Sequence, residues 1–220
     1  MNLGLAAWLL LRSDPYRAYP DYMRTRRCVA VWMVAFSVGY MIHALFLLRF
    51  SWPSAGAALT GTYFHLGSIC FSWGFTPLLH HNYLTLRVKI RDSIYYVLSV
   101  GIYWTVAFLK HDAPLLSAFS LLPFFLYGLY ITIVFYRIYN LVSERKIKMQ
   151  TGTLSGFIRW LQMCCDLIVL FGLGSVAMTG IFPLAIWPYT VLLWVGMAIY
   201  ITITLSVDRY GKEIIQNTQL

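Results

Sequence analysis

Residues 160–207 read WLQMCCDLIVLFGLGSVAMTGIFPLAIWPYTVLLWVGMAIYITITLSV, and Asp166 is the one charged side chain in the stretch. A helix crosses a hydrocarbon core of ~30 Å with about 20 apolar residues, so two crossings fit here, 160–181 and 186–207. The segment Phe182-Pro183-Leu184-Ala185-Ile186-Trp187-Pro188 divides them. Two prolines that close together favour a turn over continuous helix.

Working outward, four more apolar runs are predicted as spans: 28–48, 54–79, 93–109 and 113–136. The expected fold class is therefore all-α: one polytopic transmembrane helical bundle of six full spans, with a short N-terminal apolar half-span. Composition agrees, since the 220 residues are 60% hydrophobic and only 11% charged, with a mean hydropathy of +0.67. A soluble domain carries roughly a quarter charged residues. Aromatics at 17% suit a chain whose Trp and Tyr gather at the two membrane surfaces. Asp112 and Pro114 read as the cap and first turn of the span 113–136, while Pro77 and Pro123 are expected to kink theirs.

The basic residues orient this map. Arg12, Arg17, Arg24, Arg26 and Arg27 precede the first span, and Arg87, Lys89 and Arg91 separate the second and third. Arg137, Arg145, Lys146, Lys148 and Arg159 separate the fourth and fifth, and Arg209 and Lys212 follow the last. Only Arg49 and Lys110 fall in the alternate loops. Fifteen against two places the rich side, with the C-terminus, in the cytoplasm of a cell (inner) membrane. The net charge of +9 is thus assigned to topology and to an anionic inner leaflet; no basic face interleaved with aromatics suggests nucleic acid. Met1–Leu11 spans only ~16 Å as a helix. It lies in the interface, inserts halfway, or belongs to a longer seventh span, and it lacks the basic start and cleavage site of a signal peptide. Cys28, Cys70, Cys164 and Cys165 show no zinc spacing and read as apolar packing.

Ionisable groups within a bilayer are costly and become functional candidates. Asp166 follows Gln162 by four residues and Arg159 by seven, on one helix face. It reads either as a proton-sensing or cation-binding carboxylate, or as a hydrogen-bonding group joining helices. Gly61, His65, Ser68, Ser72 and Thr76 form a small and polar stripe, which means close packing or the lining of a cavity. His43 lies at the depth of His65 on the preceding span. The two could form a haem- or metal-ligating pair, or each could bond separately to a hydroxyl or carbonyl. No cofactor is expected. No lysine occupies the last three spans, no paired histidines stand four residues apart, and no hydrolase or phosphate-loop motif occurs, so the reading leans away from an enzyme.

The basic entry Arg24-Thr25-Arg26-Arg27, the run Tyr63-Phe64-His65-Leu66-Gly67 through Ser72-Trp73-Gly74-Phe75, and the exit Asp208-Arg209-Tyr210-Gly211-Lys212-Glu213 resemble the membrane input regions of bacterial regulators with kinase or AraC-type outputs. That resemblance implies a sensory or regulatory module which, with no output domain after Leu220, works through a signalling partner or a homo-oligomer. A small or lipophilic ligand is expected between the spans 54–79 and 160–181. The alternatives are a small transporter or channel subunit using Asp166 for a coupling ion, and a haem-bearing electron carrier on His43 and His65.

Overall fold

The computed structural model describes residues 1–12, 16–109, 114–149, 156–181 and 187–218. These form α1 (Asn2–Leu11), α2 (Pro20–Phe46), α3 (Leu48–Ser51), α4 (Pro53–Leu79), α5 (Leu86–Leu109), α6 (Pro114–Ser120), α7 (Leu122–Met149), α8 (Gly156–Ile181) and α9 (Trp187–Thr218), with a 3-10 turn at His81–Tyr83. No strand occurs among the described residues. Five helical stretches are long and apolar enough to cross a membrane: Pro20–Phe46, Leu86–Leu109, Leu116–Glu144, Arg159–Met178 and Thr190–Gly211. They fit a multi-pass membrane protein. The predicted turn at 182–186, Lys110 and the Asp112 cap lie outside the described residues, as do the side chains of Lys146 and Lys148.

Six full spans were expected, and the difference is α4. It is 27 residues long and carries no Asp, Glu, Lys or Arg, yet it falls short of the five in apolarity. Four glycines and six serines or threonines replace the large aliphatic chains that a lipid-facing helix carries. The reason is its position. Nineteen of its residues are buried, against ten of the 27 in α2, because α4 stands at the centre of the bundle. A helix surrounded by protein needs small side chains for close approach rather than apolar ones for lipid.

The α2–α4 pair shows this directly. The helices run antiparallel, with Gly39 against the Tyr63 ring, the Trp32 indole against Gly67, and Thr25 Oγ1 donating to the Gly74 carbonyl at 2.7 Å. A Cβ at Gly67 would come within 2.3 Å of Trp32 Nε1, so nothing larger than glycine fits there. Phe36 of α2 then touches Tyr40, Tyr63, Phe64, Phe171 and Tyr200, which joins α2, α4, α8 and α9 in one aromatic core.

The prolines act at helix ends. Pro123 sits in the first turn of α7, just after a break at Leu121 that separates α6 from α7, so the expected kink is an interruption. Pro77 stands three residues before the cap of α4 at His80. Leu47 ends α2 in the left-handed conformation, φ 47°, which starts the tight turn into α3 and α4.

The short α1 packs along α2 as a half-length helix. Its last turn and the following Arg12 meet Arg26 near the start of α2, and Met1–Leu3 share a cavity with Phe36, Ser37 and Tyr40, about three to four turns farther along α2.

Candidate functional site

The sequence-predicted residues divide into three separate settings. Gln162 and Asp166 share a face of α8, and both receive tyrosines from α7: Tyr139 Oη donates to Gln162 Oε1 at 2.8 Å, and Tyr136 Oη donates to Asp166 Oδ1. Both acceptors are half-buried. This two-rung ladder fastens α7 to α8.

His65 is wholly buried in α4. Its Nδ1 lies 3.0 Å from Tyr103 Oη, and the rings of Tyr95, Tyr96, Phe124 and Tyr127 surround it with centroids 4.9–6.2 Å away. Its Nε2 is buried without a hydrogen-bond partner. His43 turns elsewhere. Its Nε2 is 3.1 Å from Thr60 Oγ1, whose proton is already given to the Gly56 carbonyl at 2.8 Å, so His43 is the donor and its buried Nδ1 is left as an unpaired acceptor. The two histidines therefore do not converge: one bonds back to α4 across the α2 interface, and the other reaches α5. Among the described residues no three His, Cys, Asp or Glu side chains gather at one point.

The serines are also apart. Ser68 donates to its own helix at the Phe64 carbonyl, 3.2 Å, and borders a cavity among α4, α7 and α8. That cavity measures about 20 Å³, room for one water at ~10–15 Å³. Phe71, Phe124, Ile131 and Ile168 line this cavity and leave room for no more than water in it. Ser72 bonds to Tyr83 Oη at 2.9 Å. Burial pushes the Tyr83 hydroxyl above its ordinary pKa, with the Ser72 bond working against that shift, so the phenol stays protonated at neutral pH.

A more promising site lies one helix over, and two of its residues, Arg91 and Asp92, fall in the stretch predicted as a loop. Thr85 precedes α5, and its Oγ1 accepts from the Val88 amide at 3.4 Å, so the helix starts seven residues before the predicted span at Ser93. This draws Asp92 into the bundle, where it is fully buried. Its Oδ1 receives Arg91 Nε and Nη2 at 2.9 and 2.7 Å, and its Oδ2 receives Trp73 Nε1 at 2.9 Å. A buried carboxylate requires such donors, since an unpaired charge in low dielectric is strongly penalised. Arg91 Nη1 continues to Tyr130 Oη at 2.6 Å, and the guanidinium lies 4.9 Å above the Tyr130 ring.

Arg91 and Tyr95 from α5, with Leu126, Tyr127 and Tyr130 from α7, line a cleft of about 220 Å³ that is almost wholly apolar. Both helices pack on α4, and the cleft lies between them. Tyr95 and Tyr127 stack at 5.4 Å, with His65 at 4.9 Å from the Tyr127 ring. Tyr127 Oη makes no hydrogen bond of good geometry, although the Asp92 carboxylate is close enough to act on it. The site thus joins an apolar space to a buried ion pair, to Tyr127 Oη beside the Asp92 carboxylate, and to His65 Nε2, which lacks a partner. One signal for it was legible. Asp92, Ser99, Tyr103 and Ala107, the buried residues of α5, recur at intervals of seven, four and four, which marks one inward face.

A second buried charge escaped the sequence reading. Arg26, counted there for topology, is fully buried. It donates to the Leu9 and Arg12 carbonyls at 3.0 and 3.2 Å, lies 3.5 Å from Asp208 of α9, and stacks 4.7 Å over the Tyr16 ring. It binds the end of α1, the start of α2 and the end of α9 together.

No protein-family model, characterised protein or solved structure matches this chain.

Proposed function

We propose that the chain is a sensory or regulatory module of the cell (inner) membrane that binds a lipophilic ligand laterally, in the cleft between α5 and α7. The observation that carries this reading is the cleft itself. Its walls are apolar enough for a lipid-soluble molecule, its rim carries the half-exposed Arg91 paired to buried Asp92, and the unpartnered His65 Nε2 lies behind Tyr127. Pockets with an apolar lining and a few convergent polar groups are the usual form of small-molecule sites, and ionised groups buried in membrane helices commonly serve function.

The regulatory part draws support from the ends of the chain that resemble bacterial input regions. The entry residue Arg26 and the exit residue Asp208 are in contact, and Trp160 of α8 stacks on Tyr210 of α9 at 4.8 Å. Contacts run without a gap from the cleft through α7, across the Tyr136–Asp166 and Tyr139–Gln162 rungs to α8, and on to the exit helix. In this reading α4 is a sixth crossing, matched in length to its antiparallel partner α2, and the fifteen-to-two division of basic residues sets the exit helix toward the cytoplasm.

Photolabelling tests the site. A lipophilic diazirine probe in native membranes is expected to modify peptides containing Tyr95 and Tyr127, and Leu126→Trp, which fills the cleft, is expected to remove that labelling. Labelling that spreads over the lipid-facing surface and ignores Leu126→Trp would sink the reading.

A further inference from the structure

The ligand can be narrowed by the charges at the mouth of the cleft. Arg91 spends Nε and one Nη2 proton on Asp92 and one Nη1 proton on Tyr130. A guanidinium has five N–H groups, so two remain, and 43% of the side chain is exposed. Arg87 is one turn earlier on the same face of α5, and Arg137 lies two turns beyond Tyr130 on α7. Both are exposed. Of the acids on these two helices, Asp92 is already engaged by Arg91 and Trp73, and Glu144 is two further turns away along α7. The open end of the cleft is therefore strongly cationic, while Tyr95, Leu126 and Tyr127 farther in are apolar.

From this gradient, and resting on the cleft being a ligand site, we infer that it binds an anionic phospholipid of the leaflet on the arginine side. The phosphate sits at Arg91 with Arg87 and Arg137 flanking it, and an acyl chain enters against Tyr95, Leu126 and Tyr127. Guanidinium groups match phosphate in geometry as well as charge, and basic pockets between membrane helices are the usual seats of anionic headgroups. A zwitterionic headgroup leaves the cationic excess uncompensated, and a water-soluble anion makes no use of the apolar depth.

The test is native mass spectrometry of the purified full chain in detergent doped with equal amounts of phosphatidylglycerol, phosphatidylethanolamine and diacylglycerol of identical chains. Arg91 also neutralises the buried Asp92, so the exposed pair Arg87→Gln/Arg137→Gln is the better charge variant, with elution volume and helical content confirming its fold. Phosphatidylglycerol is expected to be retained in preference by the unaltered chain, with retention falling about fivefold per arginine removed. Diacylglycerol binding is expected to stay constant in that variant, and Leu126→Trp to displace both lipids. Equal retention of phosphatidylglycerol and diacylglycerol, both lost in Leu126→Trp, overturns the anionic inference and leaves the cleft as a lipophile site. A phosphatidylglycerol preference that survives Arg87→Gln/Arg137→Gln overturns the inference as well. Retention of every lipid unchanged by Leu126→Trp overturns the cleft reading itself.

Discussion

Asp166 and Asp92 are both carboxylates in membrane helices, and the structure gives them different work. Asp166 is half-buried and accepts a single tyrosine proton from α7. An asparagine keeps the acceptor oxygen, so Asp166→Asn is expected to leave thermal stability in detergent almost unchanged. Asp166→Leu removes the rung and is expected to cost about 1 kcal/mol, the usual size of a hydrogen bond within a membrane. A large loss in Asp166→Asn would show instead that the negative charge is needed. Asp92 is wholly buried and holds both Arg91 and Trp73. Asp92→Leu leaves the buried Trp73 indole without its acceptor and takes the carboxylate from the half-exposed Arg91, a loss of about 2–3 kcal/mol. Unfolding measured under identical conditions is therefore expected to rank Asp92→Leu well below Asp166→Leu. The reverse order would place the structural weight on α8. Asp166 was conspicuous because its neighbours in sequence are apolar for many residues. Asp92 was hidden because Arg91, Lys89 and Arg87 precede it, and charge density on that scale reads as a loop.

At the scale of the element, α1 is a helix that depends on its neighbours. Ten residues are too few for an isolated helix to be stable, and α1 has neither a side-chain cap at its start nor a basic residue in its last turn. Arg26 supplies what the helix lacks, since its guanidinium takes up the carbonyls of Leu9 and Arg12 at the C-terminal end, where positive charge is also favoured by the helix dipole. Arg26→Ala is expected to release α1, raising amide hydrogen exchange in 2–11 at least tenfold while the amides of α4 keep their protection. Asp208→Asn retains an acceptor for Arg26 and is expected to change exchange in α1 little. Uniform loss of protection in both α1 and α4 would mean that Arg26 supports the whole bundle rather than one element. The triplet Arg24-Thr25-Arg26 also shows what helical phase does to neighbours in sequence. Arg24 pairs with Asp21 at 2.7 Å, Thr25 is buried against Gly74, and Arg26 points to α1 and α9.

The whole molecule is organised by α4, and its status carries the topology. If α4 crosses, the loop at Arg49 and the turn at His81 lie on opposite sides. Single cysteines placed there in a background with the native thiols replaced are expected to react with an impermeant maleimide from opposite faces of the membrane, with His81 on the cytoplasmic side together with a reporter fused after Leu220. Reaction of both from one face would remove α4 as a span and reverse the orientation of everything that follows it.

The helical class and five helices apolar enough to cross a membrane were legible without coordinates, because both depend on local composition: about 20 apolar residues favour hydrocarbon, where their backbone must bond within the helix. Their ends were not legible, since α2 and α5 start eight and seven residues before the predicted spans. Asp166 and Gln162 were likewise placed on one face by spacing alone, and the His65 stripe was rightly turned inward. Tertiary structure alone decided which partners those faces met. The low apolarity of α4 sets it apart from the helices that face lipid, but composition does not say which neighbours enclose it, and its central place is seen only in its burial. The separation of His43 from His65, the burial of Arg26 and Asp92, and the cleft between α5 and α7 all arise from contacts among helices distant in sequence. Such contacts are set by the shapes of side chains packing across helices, and a reading along a single chain contains helical phase but not the neighbour that each face will find.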